Sequence, residues 1–395
     1  MNILVLNAGS SSLKYQVIEM PSQHVKCVGL VERIGMNDAI FNHEINDKKY
    51  AEVLPILSHK AGLKKIAHIL LDKKIGVLNS VDEIEAVGHR VVHGGSKFSK
   101  TVVVTEEVKD NIRELFDLAP LHNPANLIGI EIAETIFTKA KQIAIFDTSF
   151  HQTMPKEAYQ CAIPNEYLEK HQIRAYGFHG TSHKYVSEKA IEYLGAIASK
   201  KIITIHLGNG CSMSAIKNGK SIENSLGFGP TNGLIMGTRA GDIDQSVIFF
   251  LMKKLNKSAE DVNDLLQKKS GMLGLTGFSD LREISEKAAN GNKDCKNALA
   301  LAGYRIKKYI GSYTAILNGL DAIVFTAGIG ENSTIMRQLA CENLDFLGIE
   351  LSKSKNNVRS AEIREIQTAA SKVKILVIPT NEEIEIAKQS YKLLK

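Results

Sequence analysis

Arginine set among glycines is the pairing in this sequence with the most chemical potential. Arg90 stands in Gly88-His89-Arg90-Val91-Val92-His93-Gly94-Gly95, and Arg239 in Gly237-Thr238-Arg239-Ala240-Gly241-Asp242. A planar guanidinium fork matches the oxygens of a carboxylate or phosphate, and flanking glycines let a ligand approach closely. The competing reading of each is an ordinary surface ion pair. Two acids follow apolar runs: Asp147 in Phe146-Asp147-Thr148-Ser149-Phe150-His151, and Glu382 in Pro379-Thr380-Asn381-Glu382-Glu383. A hard cation such as Mg²⁺ takes one or two carboxylates, waters and substrate phosphates, which suits both positions. Glu382 also fits an acid favoured by a helix dipole. His179 and His183 share Tyr176-Gly177-Phe178-His179-Gly180-Thr181-Ser182-His183, and His122 lies in Pro120-Leu121-His122-Asn123-Pro124. The i, i+4 histidines lack the glutamate of an H-E-x-x-H zinc motif.

Three small-residue turns could receive a polyanion. The first is Asn7-Ala8-Gly9-Ser10-Ser11-Ser12-Leu13-Lys14, where small side chains expose backbone N–H groups and Lys14 adds a point charge. It is not a Walker A loop, and a plain hairpin turn into Tyr15-Gln16-Val17-Ile18 fits it too. The second, His206-Leu207-Gly208-Asn209-Gly210-Cys211-Ser212, echoes the first about 200 residues on. That separation suggests two related halves rather than a solenoid of 20–50-residue repeats. The third, Phe325-Thr326-Ala327-Gly328-Ile329-Gly330-Glu331-Asn332-Ser333, superficially matches a dinucleotide fingerprint, but Ser333 replaces its last glycine. A turn packing against an adenosine, or a purely structural turn, suits it equally.

The elements that must carry these residues are short β-branched runs alternating with helically spaced segments. Ile3–Leu6, Ala86–Val92, Ile143–Phe146, Ile202–Leu207, Ala322–Thr326 and Lys374–Ile378 predict strands; Pro124–Thr138, His183–Tyr193, Cys295–Leu317 and Asn381–Leu394 predict helices. The alternation predicts an α/β chain with largely parallel sheets, whose ligands gather at the carboxyl ends of the strands. A length of 395 residues exceeds one compact core and predicts two domains.

Composition narrows the class. With 44% hydrophobic and 23% charged residues the chain is globular. Its net charge of +6 is spread among interspersed acids, and aromatics make up only 6% with no tryptophan, so no nucleic-acid partner is expected. The five cysteines are scattered without a C-x-x-C pair, which fits a reducing compartment and a cytoplasmic location. No apolar run approaches membrane-spanning length, and the first residues lack a signal-peptide pattern.

Taken together, eight segments in order resemble the acetokinase family over essentially the whole chain. They are Leu6–Lys14, Gly88–Gly95, Ala119–Pro124, Phe146–His151, Tyr176–His183, His206–Gly210, Met236–Arg239 and Phe325–Asn332. The resemblance implies two domains of duplicated ribonuclease H-like (actin-like ATPase) topology with an active-site cleft between them. The expected boundaries are 1–149 plus 381–395 for the first domain and 150–380 for the second. The implied reaction is reversible, Mg²⁺- or Mn²⁺-dependent transfer of the ATP γ-phosphoryl group to acetate, giving acetyl phosphate and ADP, in a homodimeric enzyme.

The resemblance also implies roles. Asn7 and Glu382 would hold the metal. Ser10, Ser12, Lys14, His206, Leu207, Gly208, Asn209 and Gly210 would contact ATP, as would Asp280, Leu281 and Arg282 with Gly328, Ile329, Gly330, Glu331 and Asn332. Arg90 would bind the substrate carboxylate, with Val92, Leu121, His122, Phe178 and Pro230 walling its pocket. Asp147 is the active-site acid, and His179 and Arg239 would stabilise the transition state. One stretch departs: Glu223-Asn224-Ser225-Leu226-Gly227-Phe228-Gly229-Pro230 stands where the family pattern is Asp-Thr-Ser-Met-Gly-Phe-Thr-Pro. Alternatives are a kinase of propionate or another short carboxylate, a non-metabolic ATPase of the same superfamily, and a nicotinamide oxidoreductase built on Gly328–Ser333.

Overall fold

A computed structural model describes residues 1–395, which divide into two compact units: Met1–Phe150 with Asn381–Lys395, and His151–Thr380. The first holds strands β1 (Asn2–Ala8), β2 (Ser12–Glu19), β3 (His24–Glu32), β4 (Met36–Ile45), β5 (Lys48–Ile56), β6 (Ile84–Val91), β7 (Val102–Val103) and β8 (Lys141–Phe146). They form one sheet in the order β5-β4-β3-β2-β1-β6-β8-β7. The second holds β9 (Lys201–Leu207), β10 (Cys211–Lys217), β11 (Lys220–Asn224), β12 (Ala322–Thr326), β13 (Arg364–Glu365) and β14 (Lys374–Val377), in the order β11-β10-β9-β12-β14-β13.

The two orders superimpose. In each, a first strand pairs antiparallel with the next strand in sequence and parallel with a later one, β1 with β2 and β6, β9 with β10 and β12. A further parallel strand follows, β8 or β14, edged by an antiparallel one, β7 or β13. This is the duplicated topology implied by the resemblance, with β4 and β5 added to the first copy. The sheets are mixed rather than largely parallel: the two hairpins and the β2–β5 meander are antiparallel because tight turns can only reverse the chain.

β1 and β9 are buried almost throughout because helices cover both faces of the sheet, so they read as apolar runs without alternation. The covering helices are delivered crosswise in the chain. The helix Gly180–Leu194, which follows β8 in sequence, packs on β9 and β12 of the second unit. The helix Glu382–Leu394, which follows β14, packs on β1 and β6 of the first. Gly88 on β6 makes that second approach possible: a Cβ there would lie 2.7 Å from Ile386 Cγ2 and 2.9 Å from Ser390 Oγ. No helix is long and apolar enough to cross a membrane.

Candidate active site

The first unit gathers its chemistry at the ends of β1, β6 and β8. Asn7–Lys14 is a tight hairpin turn, closed by Gly9 N donating to Ser12 O at 2.9 Å, with Asn7 and Lys14 paired across it. The turn and the phosphate-cradle readings are therefore compatible. Ser10 and Ser11 are exposed at its tip, and Lys14 forms an ion pair with Glu383.

Arg90 ends the same sheet. One Nη2–H is donated to Asp147, and Nε lies 3.8 Å from a Glu382 carboxylate oxygen. That distance is too long for a hydrogen bond, and Nε is buried without an acceptor. Burial alone would lower the pKa of Arg90, but the charges of Asp147 and Glu382 override it and hold it above the ordinary value. Glu382 is pushed up to about 7 because burial and the neighbouring Asp147 and Glu383 outweigh the pull of Arg90 and Lys14. Three carboxyls against two cations leave room for one more positive charge.

Two asparagines that the sequence did not single out hold this unit's loops. Asn126 Oδ1 accepts from Val92 N at 3.0 Å while its Nδ2 donates to Ala8 O at 2.7 Å. Asn123 brackets His93 in the same way, accepting at 3.1 Å and donating at 3.0 Å. Both sit at the start of the helix Asn123–Ile136, fully buried. Their only sequence signal is polar residues at buried helical positions. Asn126→Ala should strand a buried N–H and a buried carbonyl, destabilising the protein by about 2–4 kcal/mol in a urea titration.

The second unit carries His179, His206 and Arg239. His179 is in the left-handed region (φ 56°), immediately before the helix Gly180–Leu194, and its ring stacks on His206 at 4.4 Å. A non-glycine residue held there stores strain of the kind found at functional positions. The turn Leu207–Cys211 joins β9 to β10, closed by Gly208 N donating to Gly210 O at 3.1 Å. A Cβ on Gly210 would lie 3.2 Å from His179 Nε2 and 3.9 Å from Arg239 Nη1, so both cation-capable groups converge on this turn. Arg239 donates to Pro230 O at 2.9 Å and has no carboxylate partner. Burial lowers its pKa, with the Cys211 thiol opposing.

A cavity of about 700 Å³ opens beside that turn. Its walls include Gly208, Asn209, Asp280, Leu281, Arg282, Gly328, Ile329 and Asn332, and also Ser279, Ser285, Ser333 and Arg359. Asp280 caps its helix by accepting from Arg282 N at 2.8 Å and grips the Arg282 side chain, which pulls the carboxyl down to about 2. Gly330 and Glu331 do not line this cavity. The Gly330 carbonyl is taken by Arg337 at 2.8 Å, and the Glu331 carboxylate accepts from Thr380 N at 3.1 Å. Leu207 is buried against a smaller apolar void with Met236 and Met336. Of the expected pocket walls, Val92 is buried and Leu121 exposed in the first unit, while Phe178 is buried in the second.

The acetokinase family profile matches residues 2–388. An acetate kinase of Flavobacterium johnsoniae is 61% identical over 395 residues, covering 100% of both chains. The crystal structure of Porphyromonas gingivalis acetate kinase is similar with a TM-score of 0.95 at 44% identity, covering 100% of both chains. That of a propionate kinase from Francisella tularensis is similar with a TM-score of 0.91 at 40% identity, covering 98% of each.

Proposed function

The chain belongs to the acetokinase family, and from that premise we propose that it is an acetate kinase, moving the γ-phosphoryl group of ATP to acetate in a reversible reaction. The observation that carries the reading is Arg90, whose buried Nε–H has no acceptor while a neighbouring N–H is already spent on Asp147. A guanidinium donor left without an acceptor suits a small carboxylate.

Acetate is anionic at neutral pH, so it needs no strong base to attack; it must be brought beside an anionic phosphate. Arg90 fixes the carboxylate. Arg239, lacking an acid of its own, supplies charge for the transferred group, and His179 donates to one of its equatorial oxygens. Asp147 orients Arg90. The turns at Ser10–Ser12 and Gly208–Gly210 receive phosphates, and the cavity at Asp280–Arg282 and Gly328–Asn332 receives the adenosine. Mg²⁺, or Mn²⁺, would be held by Asn7 and Glu382 and would neutralise phosphate charge. Transfer is direct and in line, without a phosphorylated enzyme residue.

Five free cysteines support a cytoplasmic location. The exposed Val247, Phe249 and Phe250 on the helix Gln245–Lys254 support the homodimer.

A hydroxamate assay of acetyl phosphate across acetate, propionate and butyrate tests the assignment. Each added methylene is expected to lower kcat/KM by about 10–200-fold. A higher value for propionate than for acetate would move the chain to the propionate reading. Metal dependence is the second test. The Glu382 carboxyl near 7 binds a proton that a cation must displace, so KM for Mg²⁺ should rise about tenfold per unit as pH falls below 7. The raised folded pKa also means that this group's stabilising share is complete below the ordinary glutamate value and lost as pH climbs through about 7. Glu382→Gln should flatten the metal profile; an unchanged slope would remove Glu382 from the site.

A further inference from the structure

His179 does not stand alone. Its Nδ1 meets Ser212 Oγ at 2.9 Å, the same oxygen meets His183 Nε2 at 2.7 Å, and His183 Nδ1 meets Thr204 Oγ1 at 2.7 Å. Thr204, Ser212 and His183 are completely buried, and these contacts are the only side-chain hydrogen bonds that the three make. A chain this short and this closed can be solved by counting hydrogens.

His183 is neutral, because burial holds its pKa well below the ordinary value and His151 and His206 lower it further. A neutral imidazole has one N–H and one lone pair. If the hydrogen were on Nδ1, it would point at Thr204. The Ser212 hydrogen would then be spent on His183 Nε2, and the Thr204 hydroxyl hydrogen would be buried with no acceptor. With the hydrogen on Nε2 every donor is used: Thr204 donates to His183 Nδ1, His183 Nε2–H to Ser212, and Ser212 to His179 Nδ1. Buried donors are rarely left unmade, so the second arrangement holds.

We propose that Thr204, His183 and Ser212 form a proton-ordered relay of positioning residues that locks His179 as the neutral Nε2–H tautomer, with its one N–H directed at the Gly208–Gly210 turn. The Nε2 direction follows from the 3.2 Å between that atom and a Cβ position on Gly210. An imidazolium at His179 would need Nδ1–H to donate into Ser212, which reverses the chain and strands the Thr204 hydrogen. The other groups facing the two rings act in the same sense: His206 stacks on His179 at 4.4 Å, His151 and His206 lie 5.7 and 6.1 Å from His183, and the Arg239 guanidinium flanks the same glycine. A donor already polarised at Nε2 can bond a phosphoryl oxygen without waiting for a proton from solvent.

The lock is set by the protein's own side chains, and its catalytic use rests on the kinase reading. Nitrogen-15 NMR of the full-length protein labelled at histidine, with signals assigned by single His→Gln variants, should show His179 and His183 with protonated Nε2 and bare Nδ1 from pH 6 to 8. A proton on Nδ1 of either ring, or a His179 imidazolium in that range, would overturn the relay whatever the enzyme phosphorylates. In the acetate assay, Ser212→Ala should lower kcat about tenfold with KM values little changed, and should add an acid limb near pH 6.5; Ser212→Thr should restore both. If Ser212→Ala keeps the wild-type pH profile, the serine is merely structural and the relay falls. Wild-type protein that forms no acetyl phosphate would refute the kinase reading and leave the NMR result standing.

Discussion

Replacing Arg90 by alanine is expected to lower kcat/KM for acetate by about 10²–10³-fold, the range for removing a charge-assisted donor from a reacting anion. Most of the loss should appear with the carboxylate rather than with ATP, whose KM should change little. A second effect follows from the ion pair. Asp147 is only 1% exposed, so alanine at position 90 leaves a buried carboxylate without its cation. That should destabilise the protein by about 3–5 kcal/mol. Arg90→Lys separates the two effects. It keeps a charge near Asp147 but loses the fork, so it should recover stability and still lack most of the activity. If Arg90→Ala turned over acetate at the wild-type rate, the assignment of the carboxylate site would be wrong.

The second large effect is expected at Gly271, behind the turn that carries Arg239. This residue has φ +60°, and a Cβ there would sit 2.2 Å from Met236 O, 2.6 Å from Arg239 O and 2.9 Å from Arg239 N. All three are backbone atoms, so nothing can swing aside. The turn they belong to is strapped down by Ser270 N to Thr238 O at 3.0 Å and Leu273 N to Gly237 O at 2.9 Å. Gly271→Ala must therefore displace the turn that carries Arg239. A loss of about 3 kcal/mol or more and a fall in kcat of about 10²-fold are expected. Gly277 is the control. It also has a positive φ, +81°, but open space around it, so Gly277→Ala should show only the conformational penalty of about 1 kcal/mol. Equal effects at the two positions would show that backbone strain alone is responsible.

Much of this architecture is legible in the residues because its strands are buried on both faces. Ile3–Leu6, Ile202–Leu207 and Ala322–Thr326 announce β1, β9 and β12 as apolar runs, and Cys295–Leu317 lies within the observed helix Lys293–Leu317. β3 is harder to see. Its buried positions are Cys27, Gly29 and Val31, and the middle one has no side chain because the Tyr15 ring lies over it, 2.1 Å from where a Cβ would be. The alternation exists in space but not in the letters. β5 is an exposed edge strand with little pattern to find.

The candidate site divides the same way. Arg90 and Arg239 are conspicuous because a guanidinium beside glycines is an unusual local setting. Asn126 is invisible because its value lies in joining Ala8 to Val92, which only the fold brings together. His183 is the instructive case. Spacing alone suggests a second ligand for a metal, whereas its surroundings of Thr204 and Ser212 give it a hydrogen-bonding task instead. Serine and threonine on a buried strand carry no local sign of which imidazole they will meet.

The crosswise delivery of the two covering helices bears on how the protein is made. The first unit's sheet is complete in sequence by Phe146, yet the helix that seals β1 and β6 comes only after the 230 residues of His151–Thr380. At ~5–20 residues per second, a ribosome needs about 12–45 s to supply it. Throughout that interval the face over Gly88 lies open to water, and the nascent chain carries an unsealed apolar sheet. Synthesis therefore imposes a waiting period on the amino-terminal half, and a holdase chaperone should meet the chain during it. Truncation of the last fifteen residues would make that exposed intermediate permanent.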